Sequence, residues 1–401
     1  MKAMILKEFR QLRRDRRTVA LMIGLPLMLL IVFGYAARFD VSNVDTAVAG
    51  PGAEAFAETL LQHFNGGALA LMTSIGHRTG LFDSMASGVP ASSHEIAQAA
   101  SLNERYVREW LGAMTSGGIV ECDPSGTLFH LPAEHAASLT RAAAADNMAT
   151  LAQYFAVLGG VEDGIVECFR KGGGVPYSAF DRFHEVMAED SGQSVLPVLL
   201  DQILPLAPGI PEALEVGIDV LDIGCGSGRA LNKMAASYPR SRFVGYDLSE
   251  DALRTARQEA AAAGVTNIRF EQRDLTHFSE PAAYDLVTAF DAIHDQKDPA
   301  SVLRGIAGSL RPSGTFLMQD IAGSSHIHKN LEHPIGPLLY TISCMHCMTV
   351  SLAQEGEGLG AMWGSEKANE LQRLAGFQNV EIRRLSHDIQ NQFYIARIQA
   401  S

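Results

Sequence analysis

The chain has 401 residues, 47% of them hydrophobic and 19% charged, enough for two or three domains with buried cores. Its net charge of −13 argues against the broad basic face that nucleic-acid binding requires. Five cysteines, Cys122, Cys168, Cys225, Cys344 and Cys347, are odd in number and scattered, which excludes a secreted disulfide framework and suits a reducing, cytoplasmic setting.

The N-terminus departs from the rest. Seven basic residues between Lys2 and Arg17 precede Thr18–Ala37, twenty residues without a charge. A run of that length suffices for a bilayer-spanning helix, with the basic flank on the cytoplasmic side. The expectation is one hydrophobic helix over 18–37 and membrane contact through it. A signal peptide fits less well, because the apolar run is long and Ala36-Ala37 meets Arg38. Lys7-Glu-Phe-Arg-Gln11 and Gly24-Leu-Pro26 make residues 1–60 resemble the opening of a multidrug-type ABC transporter permease. The further spans of a permease are missing, so the resemblance implies a fused segment without transport function, either an anchor or a relic.

Residues 61–140 read as a small, mostly helical module. Gly66–Gly80 is apolar with helical spacing, and Ser92 with Glu95 makes a capping box that opens a helix. A second helix follows from Leu102, and Ile119–Leu131 reads as a hairpin around Asp123–Gly126. Helix-turn-helix followed by a hairpin is a winged helix. Its second helix balances Glu104 and Glu109 against Arg105 and Arg108, and its wing, Glu121–Thr127, holds two acids and no base. Phosphate contacts dominate DNA affinity, and these residues do not supply them. The module resembles the N-terminal domain of small-molecule O-methyltransferases and of bacterial winged-helix methyltransferases, which implies a homodimerisation role.

Residues 141–210 read as a helical linker, in which Gly172-Gly-Gly-Val-Pro-Tyr177 leads into a helix from Ser178. Beyond it, 211–401 carries the chemistry. Ile218-Asp-Val-Leu-Asp-Ile-Gly-Cys-Gly-Ser-Gly228 is a buried strand entering a turn with glycine at 224, 226 and 228. A second strand, Arg242–Asp247, ends in an acid able to accept hydrogen bonds from a ribose. The dinucleotide fingerprint would require glycine where Arg229 stands, and Asp222 would repel a pyrophosphate but suit an ammonium or sulfonium ligand. Further strands end at Asp274 and Phe290, and Leu310–Asp320 is a turn leading into a fifth. Strands alternating with helical segments such as 250–264 imply a parallel α/β sheet with the ligand at the strand C-termini.

These motifs, in this order, resemble the class I S-adenosylmethionine (SAM)-dependent methyltransferases. The resemblance implies a Rossmann-like sheet and SAM as cofactor, with Gly224 and Gly226 at its methionine end. It makes Asp247 the ribose-binding acid and Asp274-Leu275 the adenine clamp, and puts Asp222, Cys225, Leu248 and Asp291 beside the cofactor. It also places the Tyr177 strap over SAM, where the phenol would touch the methionine carboxylate.

For catalysis the candidate is His294, directly after the fourth strand, with Asp295 or another nearby acid to orient it. His294-Asp-Gln-Lys-Asp298 resembles the His-Asp-Trp-x-Asp stretch of small-molecule O-methyltransferases, whose histidine is a general base; the tryptophan is missing here. A loop-closing histidine is the equal alternative. The lid, 324–364, holds His326, His328, His333, Cys344, His346 and Cys347. Cys344-Met-His-Cys347 has zinc-like spacing but lacks a second cysteine pair, so no metal is expected; a Met-rich lining fits an apolar acceptor better.

The sequence therefore predicts a cytoplasmic, homodimeric SAM-dependent methyltransferase acting on a small apolar or aromatic molecule, with oxygen favoured as the acceptor atom. The competing reading is a winged-helix transcriptional regulator that senses SAM without turnover.

Overall fold

The structure, a computed structural model, describes residues 51–398 apart from His387. The expected helix over 18–37, and residues 1–50 of the permease-like segment, lie outside the described residues. Among the described residues no helix is long and apolar enough to cross a membrane.

A long helix, α1 (Pro51–Thr79), opens the described chain, and from Gly66 onward the chain forms one compact unit. The winged helix follows, with the caps expected of it. In α2 (Ser93–Ala100) the Ser92 side chain accepts from the Glu95 backbone while the Glu95 carboxylate accepts from the Ser92 N–H at 2.8 Å. In α3 (Glu104–Ser116), Asn103 caps the first turn. The wing is a short antiparallel pair, β1 (Glu121–Cys122) and β2 (Phe129–His130). Its turn is closed by Asp123, whose Oδ1 accepts from the backbone of Thr127 and Leu128 at 2.8 and 2.9 Å. Trp110 anchors the module on α1 by donating to the Met72 carbonyl at 2.8 Å and meeting the edge of Phe82. The arginines of α3 are held by acids of their own helix, Arg105 by Glu109 and Arg108 by Glu104, so this face offers DNA little free positive charge.

Three helices follow: α4 (Ala152–Gly159), α5 (Glu162–Lys171) and α6 (Phe183–Ser194). The seven-stranded sheet has the order β5-β4-β3-β6-β7-β9-β8, built from β3 (Asp219–Ile223), β4 (Arg242–Asp247), β5 (Ile268–Gln272), β6 (Tyr284–Phe290), β7 (Leu310–Ile321), β8 (Phe377–Arg383) and β9 (Asn391–Ile398). The first five run parallel, as expected, while β9 inserts antiparallel between β7 and β8. That last hairpin had no clear signal in the sequence. The Arg311–Gly314 turn bulges out of β7, where the register with β6 skips from Leu310 to Thr315.

Both faces of the sheet are covered, which is why its strands are apolar nearly throughout. Alternate residues feed different cores: Leu221, Ile223, Val287, Phe316 and Met318 pack on one side, Val220, Leu286 and Leu317 on the other. The helices α7 (Arg229–Ser237), α8 (Glu250–Ala262) and α9 (Pro299–Ser309) connect the strands. The lid comprises α10 (Gly336–Ile342), a π-turn at Ser343–Cys347 and α11 (Met348–Ala353), before α12 (Gly364–Ala375) returns to the sheet.

Candidate functional site

The glycine turn leaves β3 with positive φ at Gly224 (67°), Gly226 (53°) and Gly228 (67°), the conformation that favours glycine. The Gly224 and Cys225 N–H groups both donate to the Tyr246 carbonyl of β4, at 2.8 and 3.0 Å, which pins the turn to the neighbouring strand. A Cβ on Gly224 would come within 2.5 Å of Ala292 Cβ, so the turn packs directly on the segment after β6. No atom lies within 4 Å of the Cβ position of Gly226, leaving open backbone there for a ligand.

Asp247, at the tip of β4, is held by two backbone donors, Gly226 N–H and Ser249 N–H, each at 2.8 Å. The strand ends and glycine turn thus lock the acid beside the open backbone. Asp222 is different. It is buried beneath the turn, accepts from Thr288 Oγ1 at 2.7 Å, and has its pKa pushed up to about 7 by burial and by Asp247. Cys225 is half-buried, its thiol pKa raised well above the ordinary value by burial and by Asp222 and Asp247. Leu248 is exposed, and Asp274 Oδ1 closes a local turn by accepting from Thr276 N–H and Oγ1 at 2.9 and 2.6 Å. Leu275 is buried, its side chain in the core with Tyr246 and Phe278.

Tyr177 hangs from the glycine strap and stacks on His184 of α6, ring centroids 4.5 Å apart. Burial, then Asp295 and Asp247, raise its pKa well above the phenol value. The strap itself is riveted to the lid: Val175 N–H donates to Thr349 Oγ1 at 2.7 Å, and a Cβ on Gly174 would strike the Thr349 carbonyl at 1.9 Å.

At the ends of β6 and β7 sits a buried His–Asp pair. His294 Nδ1 lies 2.9 Å from Asp320 Oδ1, with His294 3% exposed and Asp320 fully buried. The same Asp320 oxygen accepts from Trp363 Nε1 at 3.1 Å and from the Ile321 N–H at 2.8 Å. Burial alone would lower the His294 pKa; Asp320 and the adjacent Cys347 thiol outweigh it and raise the pKa well above the usual value. The acid that orients His294 is therefore Asp320, on a strand 26 residues away, rather than neighbouring Asp295. Burial lifts the pKa of Asp295 to about 6.

Asp291 has a left-handed backbone (φ 52°) and accepts from Gln319 Nε2 at 2.7 Å. Its Oδ1 is shielded from water without a partner, and its pKa rises to about 8 through burial and Asp320. Sequence reasoning missed Asp320, Gln319 and Trp363, because each acquires its role through strand register or lid packing. Of the lid residues weighed for zinc, His326 and His328 lie exposed while His346 and Cys347 are buried. Among the described residues no three His, Cys, Asp or Glu side chains are placed to hold a metal ion. All five cysteines are free thiols.

Two family models match the chain: an Rv2258c-like winged HTH domain over 67–141 and a methyltransferase domain over 214–379. Among curated proteins it is similar to a ubiquinone biosynthesis O-methyltransferase of Sodalis glossinidius (strain morsitans), 33% identical over 120 residues, or 29% of this chain and 45% of that protein. The chain thus spans about half the length of the curated relatives it matches. Among solved structures, human N-acetylserotonin methyltransferase in complex with SAM superposes with a TM-score of 0.63 at 18% identity, covering 87% of this chain and 99% of that one. PigF with SAH superposes with a TM-score of 0.62 at 18% identity, covering 85% and 98%. At such identities the superpositions establish the fold. Nothing in these matches extends the permease resemblance of residues 1–60. The chain joins a winged helix-turn-helix domain, over 67–141, to a methyltransferase domain, over 214–379.

Proposed function

We propose that the protein is a SAM-dependent methyltransferase that methylates an oxygen of a small, aromatic or apolar molecule. The observation that carries this reading is the buried His294–Asp320 pair, two residues beyond the Ala292 contact of the glycine turn. That placement supports a base near the methionine end of a cofactor that Gly224 and Gly226 would hold.

The residues present fit SAM. Open backbone at Gly226 and the locked Asp247 carboxylate would receive the ribose and methionine portions. Asp274 and the Leu275 backbone would border the adenine, with Leu248 alongside, Asp222 and Cys225 supporting the turn, and Tyr177 closing from above. When bound, SAM supplies a methyl group on a sulfonium, open to in-line displacement by a nucleophile. His294 would take the proton of the acceptor hydroxyl, which would receive the methyl group that bound SAM supplies, and would release it to water afterwards. Asp320 holds Nδ1–H, which leaves Nε2 as the basic atom and strengthens it as a base. Asp291 lines the same region with its unpaired Oδ1. Burial under the lid excludes competing water.

Homodimerisation is part of the proposal. Phe56, Leu61, Phe64, Leu71 and Ile75 are all exposed along α1, an apolar stripe suited to a second copy. Light scattering that returns a monomer at micromolar concentration removes that part. The regulator reading is disfavoured by the paired arginines of α3, and binding of a random DNA duplex at physiological salt would revive it.

The direct test is calorimetric titration with S-adenosylhomocysteine (SAH), followed by a screen of hydroxyaromatics with methyl-labelled SAM on wild type and His294→Ala. SAH binding with His294-dependent turnover supports the reading. Absence of SAH binding sinks it.

A further inference from the structure

The lid helix loosens into a π-turn at Ser343–Cys347, and such turns occur mostly at functional sites. Here the turn points His346 inward, 2% exposed. Its ring lies flat on Phe183, centroids 3.4 Å apart and planes 7° from parallel. The edges of Phe180 and Tyr177 close in at 4.8 and 5.2 Å. Neither ring nitrogen of His346 has a hydrogen-bond partner, although both are shielded from water. Burial, with His294 and His184 as like-charged neighbours, pushes its pKa down to about 3, so the ring is neutral at physiological pH.

A neutral imidazole carries one N–H donor and one bare acceptor nitrogen. Leaving both unpaired in an apolar surround is costly, and buried polar groups are nearly always satisfied. His346 also stands in a telling place. It packs edge-on against Tyr177, which hangs from the strap and stacks on His184, and Cys347, beside it in the same turn, is buried with it. The orphaned ring therefore sits where the lid meets the strap.

We propose that His346 is a specificity-determining residue that receives a second oxygen of the acceptor. The acceptor class is then a dihydroxyaromatic ring: one hydroxyl faces His294 for methylation, and the other pairs with His346. A hydroxyl matches either nitrogen, donating to the bare one or accepting from the N–H. A monohydroxy ring of the same size leaves the imidazole orphaned, and a site built to hydrogen-bond an oxygen rejects a ligand lacking it. This inference rests on the methyltransferase reading above and narrows its substrate.

The test uses the full chain saturated with SAH and three chromophoric probes, 4-nitrocatechol, 4-nitroresorcinol and 4-nitrophenol. At least one dihydroxy probe is expected to bind tenfold or more tightly than 4-nitrophenol. His346→Phe keeps the stacking on Phe183 and is expected to erase that preference while SAH affinity and melting temperature stay within error. His346→Asn, which retains a donor and an acceptor, is expected to keep part of it. Equal affinity for the three probes, failure of all three to bind, or a preference retained in His346→Phe overturns the proposal. Should His346→Phe fail to fold, the ¹⁵N shifts of the wild-type His346 ring decide, and a ring unmoved by the preferred probe overturns it equally. No SAH binding by the wild type is a different outcome, because it removes the methyltransferase reading itself.

Discussion

His294 Nδ1 and Asp320 Oδ1 are 2.9 Å apart in the buried interior, joining the turn after β6 to the end of β7. Asp320 is committed to this arrangement by two further donors, Trp363 Nε1 and the Ile321 backbone, so it cannot swing away. The pair predicts a separable pH signature. Because the carboxylate favours the protonated imidazole, Asp320→Asn lowers the His294 pKa and moves the acidic limb of kcat/KM to lower pH. Removing the base in His294→Ala is expected to cut kcat by about 10²- to 10⁴-fold with SAH affinity unchanged. A pH–rate profile of Asp320→Asn that superimposes on wild type would remove Asp320 from the mechanism.

The cofactor side rests on Asp247 and the glycine turn. Asp247→Ala removes both the ligand-facing carboxylate and the acceptor for Gly226 N–H, and is expected to weaken SAH binding by roughly tenfold or more. Gly224→Ala faces two obstacles, a left-handed φ and a Cβ 2.5 Å from that of Ala292. It is expected to lose about 1–3 kcal/mol of stability and to weaken SAH in parallel. Calorimetry and thermal melting on the same samples check both, and an unchanged SAH affinity in Asp247→Ala refutes the ribose assignment.

Asp222 predicts a pH dependence of stability. Its carboxyl titrates near the usual 3.8 when unfolded and at about 7 when folded. A raised acid pKa means the folded state holds the proton, so its contribution is fully present below about pH 4 and lost as pH rises towards 7. Other buried acids, Asp190, Asp291 and Asp295, shift in the same direction, so only a comparison isolates Asp222. Between pH 5 and pH 8, without cofactor, the melting temperature of wild type should fall further than that of Asp222→Asn. Parallel curves would contradict it.

The strap and the lid should behave as one element. Thr349→Val deletes the acceptor for the buried Val175 N–H and is expected to cost about 1–3 kcal/mol, with KM for the acceptor rising more than kcat falls. Hydrogen exchange at Val175 reads the loosening directly.

Much of this protein follows from local chemistry. The Ser92–Glu95 capping box, the Asp123 turn of the wing, the left-handed glycines at 224, 226 and 228, and the acid at the tip of β4 depend on near neighbours, and each is where the residue pattern puts it. The ordered alternation of apolar strands and amphipathic helices likewise dictates a parallel sheet, because only that arrangement buries both strand faces. Partner choice across the fold is another matter. His294 pairs with Asp320 and not Asp295 because the register of β6 on β7 brings those ends together, while adjacent side chains diverge. Leu275 goes inward and His346 loses its hydrogen-bond partners for the same kind of reason, since packing of remote elements decides which side of a turn meets water. Sequence alone determined a nucleoside-binding turn and its cofactor class; only the tertiary structure selected Asp320 as the partner of His294 and left the buried His346 imidazole without one.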